Sequence, residues 1–203
     1  MMNKQTHCPL CKNELIKIFS TKDYLISGEK FDIVECLTCT LRITSPFPSA
    51  DTIGDYYNSK DYISHSDEKY DVITCWHSLE HIHEPWIYLD KIRTHLNPDG
   101  VLVVALPNYN STDAKRYGSS WAAYDTPRHL YHFTIESMEK IASLCGFSIQ
   151  SMHRMNFDSF YVSILSAKHM GKSFFSGIFN GFISWLSAKF NRKKCSSLIY
   201  IMK

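Results

Sequence analysis

Four cysteines set in two tight pairs constrain this chain more than any other feature. Cys8-Pro9-Leu10-Cys11 and Cys36-Leu37-Thr38-Cys39 are separated by 24 residues. Thiols spaced this way can turn onto one point, and two such knuckles bring four sulfurs within tetrahedral reach of Zn2+. In a reducing compartment the pattern reads as a metal site rather than a pair of disulfides. All four positions are filled by protein, so the site is expected to be structural and closed. The residues between the knuckles fit the strands of a ribbon: Leu15, Ile16, Ile18 and Phe19 come early, and Phe31, Ile33 and Val34 lead into the second pair. A unit of about 40 residues has too little core to fold alone, whereas zinc contributes about 10–16 kcal/mol in small zinc domains. Cys8, Cys11, Cys36 and Cys39 are therefore the expected zinc ligands of a ribbon over residues 1–48. Cys75, Cys145 and Cys195 are scattered.

A second constraint is an absence. The chain has 8 glycines in 203 residues, and no two of them stand two apart. A loop that cradles a phosphate or a nucleotide-like cofactor needs closely spaced glycines, because the backbone must approach the ligand without Cβ atoms in the way. The bulk composition, 44% hydrophobic and 21% charged, is that of a globular protein and excludes a disordered or low-complexity chain. With 22 basic against 20 acidic residues there is no case for a protein that coats nucleic acid. The longest charge-free run, Ser173 to Ala188, has 16 residues, short of the roughly 20 that a membrane span needs. Residues 1–7 carry no apolar core of a signal peptide. A cytoplasmic location is expected.

Residues 49–69 read as a connector. Pro46 and Pro48 break regular structure before it, and Tyr56, Tyr57 and Tyr62 lie in a polar stretch that suits a short helix. Tyr70-Asp71-Val72-Ile73-Thr74-Cys75-Trp76 is a β-rich run of the kind found in parallel sheets. A polar loop or helix start, His77 to His83, follows. Pro85 suits a first helical turn, and Trp86, Leu89, Ile92 and Leu96 mark one helical face. Asn97-Pro98-Asp99-Gly100 reads as a turn, and Val101 to Leu106 as a second strand. Strand, helix, strand over some 35 residues is a βαβ unit with parallel pairing. Ligands of open α/β sheets bind beyond the carboxyl ends of the strands. Those ends are Cys75-Trp76-His77 and Pro107-Asn108-Tyr109.

Further on, Asp125 to Phe133 crowds Arg128, His129, Tyr131 and His132 into a few residues before a helix. Thr134 can cap that helix, Met138, Ile141, Ala142 and Cys145 form its apolar face, and Gly146 ends it. Phe147 to Met152 and Ser197 to Met202 read as strands. Between them an insertion at about 156–194 stands apart. Phe174, Phe175, Ile178, Phe179, Phe182, Ile183, Trp185, Leu186 and Phe190 share one broad side of a helix; Gly177, Gly181 and Ser184 occupy the other. Core packing, a lid, a dimer surface and an interfacial helix touching lipid at 173–190 are all open readings of this segment.

Together these residues resemble a class I S-adenosylmethionine-dependent methyltransferase with an N-terminal zinc ribbon. Tyr70-Asp71-Val72-Ile73 with Ser78-Leu79-Glu80-His81-Ile82 resembles the family's fourth strand and its loop, and Leu96 to Asn108 resembles its fifth strand and lead-in. Arg128 to Phe133 is similar to the segment before a late helix, and the last strands resemble its closing antiparallel pair. The resemblance implies an α/β fold, a truncated Rossmann-like methyltransferase sheet over residues 70–203. It implies methyl transfer to a small acceptor, such as a sugar-derived one, with Cys75, Trp76 and His77 on the S-adenosylmethionine side. His81, His129 and His132 are candidate bases, since histidine titrates near working pH, and Tyr131 could orient the acceptor. The family's first three strands, roughly 80 residues judged from about 30 per βα unit, have no counterpart before Tyr70. Weak cofactor binding is expected for that reason, and so is an exposed Tyr70 strand that pairs a second copy into a homodimer. Two other readings are a non-catalytic binding module built on a methyltransferase remnant and, on the literal H-x-x-E-H of His77 to His81, a zinc protease.

Overall fold

The computed structural model describes residues 2–56 and 68–203. Tyr57, Tyr62 and most of the connector's polar stretch lie outside them. Strands are β1 (Met2–Asn3), β2 (Leu15–Lys22), β3 (Lys30–Cys36), β4 (Arg42–Ser45), β5 (Phe47–Pro48), β6 (Tyr70–Trp76), β7 (Leu96–Pro107), β8 (Tyr131–His132), β9 (Ile149–Arg154) and β10 (Ser197–Met202). The helices are α1 (Pro85–His95), α2 (Thr112–Tyr117), α3 (Ile135–Leu144), α4 (Asp158–His169) and α5 (Phe174–Phe190), with short 3-10 turns at Ile53–Tyr56 and Leu79–His81 among others.

One sheet runs β6-β7-β10-β9. β6 and β7 are parallel, joined through α1, and β10 lies between β7 and β9, antiparallel to both. This is the βαβ unit that the strand–helix–strand pattern predicts and the closing antiparallel pair that the resemblance implies. The Asn97–Gly100 segment departs from expectation. It is no turn between elements but a bulge inside β7: Tyr70 faces Leu96 and Val72 faces Val101, so the β7 side carries the extra residues. Asn97 Nδ2 donates to Asp71 Oδ1 at 2.7 Å across the bulge. A Cβ on Gly100 would stand 2.9 Å from the Asn97 carbonyl oxygen and 3.0 Å from that of Tyr70, so only glycine fits there.

The second sheet runs β2-β3-β4-β8 and is antiparallel throughout. Its first three strands come from the cysteine ribbon. β8 comes from the α/β half and pairs Arg42 with His132 and Ile43 with Tyr131. One apolar core accordingly runs through both halves, from Cys36, Leu41 and Ile43 to Leu79, Leu102, Leu130, Phe133 and Leu198. α3 begins on a capping box, the Thr134 and Ser137 side chains each bonding the other's backbone N–H, and buries Met138, Ile141 and Ala142.

Helix α5 reverses the simplest reading of its sequence. Its buried residues are Gly177, Asn180, Gly181, Ser184 and Ala188, and the aromatic side faces outward. A Cβ on Gly177 would meet Ile164 Cα at 2.6 Å, and one on Gly181 would meet Phe160 Cα at 2.8 Å. Backbone contact with α4 at that distance needs small residues, so the glycine side turns inward and the phenylalanines go where space remains. Among the described residues no helix is long and apolar enough to cross a membrane.

Candidate functional site

The four ribbon cysteines converge. Cys8 Sγ lies 3.5 Å from Cys39 Sγ, Cys11 Sγ 3.3 Å from Cys36 Sγ and 3.7 Å from Cys39 Sγ. A tetrahedral ZnS4 centre with Zn–S near 2.3 Å requires sulfur–sulfur separations of about 3.8 Å, so a small outward adjustment admits the ion. The crowding is visible in the thiol acidities. The Cys39 S–H bond to Cys8 lowers the Cys8 pKa to about 5, while that same bond, and then burial, pushes Cys39 well up. A divalent cation removes that conflict by accepting all four sulfurs as thiolates. The cluster is compatible with zinc.

The second site is a cleft of about 250 Å3 at the ends of β6 and β7. The β2–β3 hairpin, the 121–129 loop and α4 form its walls, through Tyr24, Trp121, His129, Asp125, Asp158 and Tyr161, with His77 alongside. Each wall has a local cause. Asp23 folds the hairpin tip by accepting from the backbone N–H of Leu25 at 2.9 Å and Ser27 at 2.9 Å. Arg128 then ties that tip to the loop, its Nη2 donating to Asp23 Oδ1 at 3.0 Å and Asp125 Oδ1 at 2.6 Å. Burial alone would raise the Asp23 pKa, but Arg128 and the backbone donors overcome it and hold the carboxyl well below the usual range. Trp121 is fixed through Nε1–H to Asp113 Oδ2 at 2.8 Å; Asp113 also accepts from Ser184 at 2.7 Å and Ser196 at 2.7 Å.

Behind the cleft lies Glu80, fully buried on the Leu79–His81 turn. Its Oε1 is 3.4 Å from His77 Nδ1 and 3.8 Å from His129 Nε2, and neither carboxylate oxygen has a hydrogen bond among the described residues. Burial opposes the Glu80 charge, yet His77, His129 and His81 prevail and lower its pKa. Glu80 in turn raises the pKa of His77. The His129 ring lies with Nδ1 2.9 Å from the Ala123 carbonyl, which assigns the proton to Nδ1 and leaves Nε2 toward Glu80. His81 stands beside it, ring centroids 4.6 Å apart, with Nδ1 3.0 Å from the Arg128 carbonyl. Burial, then the proximity of His129, lowers the His81 pKa to about 4. One donor atom each from Glu80, His81 and His129 lies within 4.8 Å of the others, a set that could hold a cation.

The structure distributes the candidate residues from the sequence unevenly. His77 and His129 line the cleft and His81 stands a layer behind. His132 is buried on the ribbon side, its Nε2 3.1 Å from Thr44 Oγ1, and burial keeps its pKa well below 6.5. Tyr131 is also buried and donates to the His83 carbonyl at 2.9 Å, away from the cleft. Cys75 packs into the core, its thiol pushed up by burial, while Trp76 is 51% exposed on the outer edge. His77 and His81 do not share a helical face, since a strand end and one 3-10 turn hold them; the converging histidine pair is His81 with His129, 48 positions on. Asp125 and Asp158 complete the cleft's charge with Glu80 behind them; Asp158 has no sequence signal, and Glu80, read from the sequence only within H-x-x-E-H, takes its place from tertiary packing.

An α/β sheet with this order, a cleft beyond its strand ends and a four-cysteine cluster define a methyltransferase-like protein. The chain belongs to the methyltransferase-domain family, whose model matches residues 14–152. Among solved structures it is similar to coclaurine N-methyltransferase bound to N-methylheliamine and SAH (14% identity, TM-score 0.40, 69% of this chain and 50% of that one). It is similar also to loganic acid methyltransferase with SAH (12% identity, TM-score 0.37, 68% of this chain and 62% of that one). A third is the Haloferax volcanii complex between the Trm112 methyltransferase activator and the putative methyltransferase (12% identity, TM-score 0.44, 70% of this chain and 57% of that one). The chain thus spans between about half and two thirds of the length of these structures. No curated protein matches it in sequence.

The family implies S-adenosylmethionine. The described residues do not fit it: no glycine cradle exists, Cys75 is turned into the core, and only Trp76 and His77 are presented at the β6 end. A preorganised set of backbone N–H donors is not replaced by two side chains.

Proposed function

We propose that this chain is the acceptor-binding part of a cytoplasmic S-adenosylmethionine-dependent methyltransferase acting on a small, hydroxylated, sugar-derived molecule. The observation that carries the reading is the cleft itself, which sets aromatic faces (Tyr24, Trp121, Tyr161) beside carboxylates (Asp125, Asp158) and an imidazole. Aromatic faces suit the C–H surface of a sugar ring, and carboxylates accept its hydroxyls. His129 Nε2 is the base: the Ala123 carbonyl holds its other nitrogen protonated, and the buried Glu80 carboxylate 3.8 Å away stabilises the imidazolium formed when an acceptor hydroxyl gives up its proton. His77, 3.4 Å from Glu80 and 3.8 Å from Asp158, orients the acceptor at the mouth. Zinc on Cys8, Cys11, Cys36 and Cys39 is structural; it stiffens the ribbon whose hairpin forms one wall. The methyl donor, when present, supplies the methyl group, and this chain by itself binds it weakly.

The edge of β6 favours a second reading, a non-catalytic binding module. Val72 is 57% exposed, and among the described residues β6 pairs on one side only, with β7. Calorimetric titration separates the two. A hexose nucleotide is expected to bind wild type and to lose about tenfold in affinity in His129→Ala, roughly the worth of one charge-assisted contact. S-adenosylmethionine is expected to give no heat at micromolar concentration. A wild type indifferent to sugar nucleotides would leave the binding-module reading in possession of the fold. Strong S-adenosylmethionine binding would show that the donor site is complete.

A further inference from the structure

Every acidic residue of the chain, 20 in all, lies at or before Asp158. From there to Lys203 the charges are Lys168, Lys172, Lys189, Arg192, Lys193, Lys194 and Lys203. This one-signed stretch includes α5, the helix that turns its aromatic side outward. Phe175 is 78% exposed, Phe179 61% and Phe190 85%, with Phe174, Phe182 and Leu186 also exposed. Lys168 and Lys172 precede the helix, Lys189 lies in its last turn, and Arg192 to Lys194 follow it; all are exposed.

The outward orientation is pinned. Besides the glycine contacts with α4, Asn180 Nδ2 donates to Tyr117 Oη at 2.9 Å and Ser184 Oγ to Asp113 Oδ1 at 2.7 Å. Rolling the phenylalanines inward would break both buried bonds and drive side chains into the α4 backbone. A contiguous apolar patch held out in this way marks a contact surface.

We propose that the outward face of α5 docks on an anionic lipid surface. The helix, about 25 Å long at its 17 residues, lies flat, with its phenylalanine rings at the acyl boundary and the basic groups at its two ends against headgroup phosphates. Charge decides between this occupant and a second copy of the chain. Two copies packed through α5 would bring two sets of lysines and arginines together with no acid on α5 or its flanks to offset them, since Asp113 beneath the helix is fully buried, whereas an anionic surface neutralises them. The inference rests on α5 and its flanks and is independent of the chemistry assigned to the cleft.

The test is flotation of the full chain with vesicles of phosphatidylcholine containing about a third phosphatidylglycerol, against pure phosphatidylcholine. The mixed vesicles are expected to bind about tenfold more tightly, with the difference shrinking at high salt. A Phe175→Ser, Phe179→Ser, Phe190→Ser variant changes only exposed rings; it should keep the wild-type melting temperature and lose binding. A Lys172→Glu, Lys193→Glu, Lys194→Glu variant should lose the preference for phosphatidylglycerol. Folded wild type that floats with neither vesicle would overturn the proposal, as would a serine variant that binds like wild type. A wild-type dimer that the serine variant converts to monomer would assign the face to a second copy instead.

Discussion

Arg128 Nη2 lies 3.0 Å from Asp23 Oδ1, and through this buried pair the tip of the ribbon hairpin is fastened to the loop that carries His129. The two residues are 105 positions apart, and their side chains are 7% and 0% exposed. The ribbon is therefore more than an appendage: it supplies one wall of the cleft and the counter-charge for the opposite loop.

Removing one partner of this pair should cost far more than removing both. Arg128→Met leaves Asp23 charged and buried, and should destabilise by about 3–5 kcal/mol. Arg128→Met with Asp23→Asn removes the fully buried charge, leaving only the part-exposed Asp125 without its partner, and should recover a large part of that loss. Urea unfolding of the two variants checks it; equal losses would mean that the pair carries no coupling.

The α4–α5 contact predicts an effect opposite to helix propensity. Alanine is ordinarily the better helix former by about 1 kcal/mol. At Gly177, however, the new Cβ would sit 2.6 Å from Ile164 Cα, a backbone atom that cannot swing aside. Gly177→Ala should destabilise by about 1–3 kcal/mol, the cost of overpacking. A rise in melting temperature would show that α5 is free to shift.

Much of this architecture is legible before any coordinates. The cysteine knuckles are set by covalent spacing, β6 and β10 by apolar runs, and α3 by Thr134 at its cap. What escapes is tertiary. Asn97-Pro98-Asp99-Gly100 has every turn residue, yet β6 pairs on both sides of it and makes it a bulge. The phenylalanine side of α5 has the look of a buried face, but two glycines four apart allow backbone approach and take the inside. Asp113 and Asp158 carry no local signal, and Glu80 is legible only as part of a motif; they gain meaning from partners brought by the chain's return, such as Trp121 and Ser196 at Asp113.

A buried histidine, His132, and a half-buried one, His81, predict acid sensitivity. In the fold, burial first and neighbouring His129 second lower His81 to about 4 and put His132 well below 6.5. Unfolded, both titrate near 6.5. Below that value the unfolded chain takes up protons that the folded chain refuses, so this stability is full above about 6.5 and is lost as pH falls toward about 4. His77 works in the other direction, since Glu80 raises its pKa, but it is part-exposed and contributes less. The depressed carboxyls Asp23 and Glu80 lose their contribution only further down, below their unfolded values near 4. The urea midpoint should therefore drop between pH 7 and pH 5, and His132→Gln, which can still reach Thr44, should flatten the drop.

The β6 edge predicts self-association separate from α5. With Val72 and Trp76 exposed and, among the described residues, no strand paired to the far side of β6, a second chain can add there. Sedimentation should show a dimer at high concentration, and Val72→Lys, a charge on the edge, should return monomer. A monomer throughout would mean that the edge is already covered.

Zinc is the last and widest prediction, because the cluster's influence reaches the cleft. Cys36 ends β3, β3 pairs β4, and β4 pairs β8 at Tyr131–His132, two residues past His129. Cys8, Cys36 and Cys39 are themselves part of the main core. One zinc per chain is expected on elemental analysis. Its removal by a chelator should leave four crowded thiols with no cation, loosen β3 and β4, and free β8 from its only sheet partner among the described residues. Near-ultraviolet circular dichroism should then change at Trp121 and Tyr124, which lie beyond the ribbon, as well as in the ribbon itself. Cys8→Ser with Cys36→Ser should reproduce that spectrum without chelator. If the double variant keeps zinc, or loses it with the cleft aromatics undisturbed, the cluster does not brace the site in the way the shared sheet indicates.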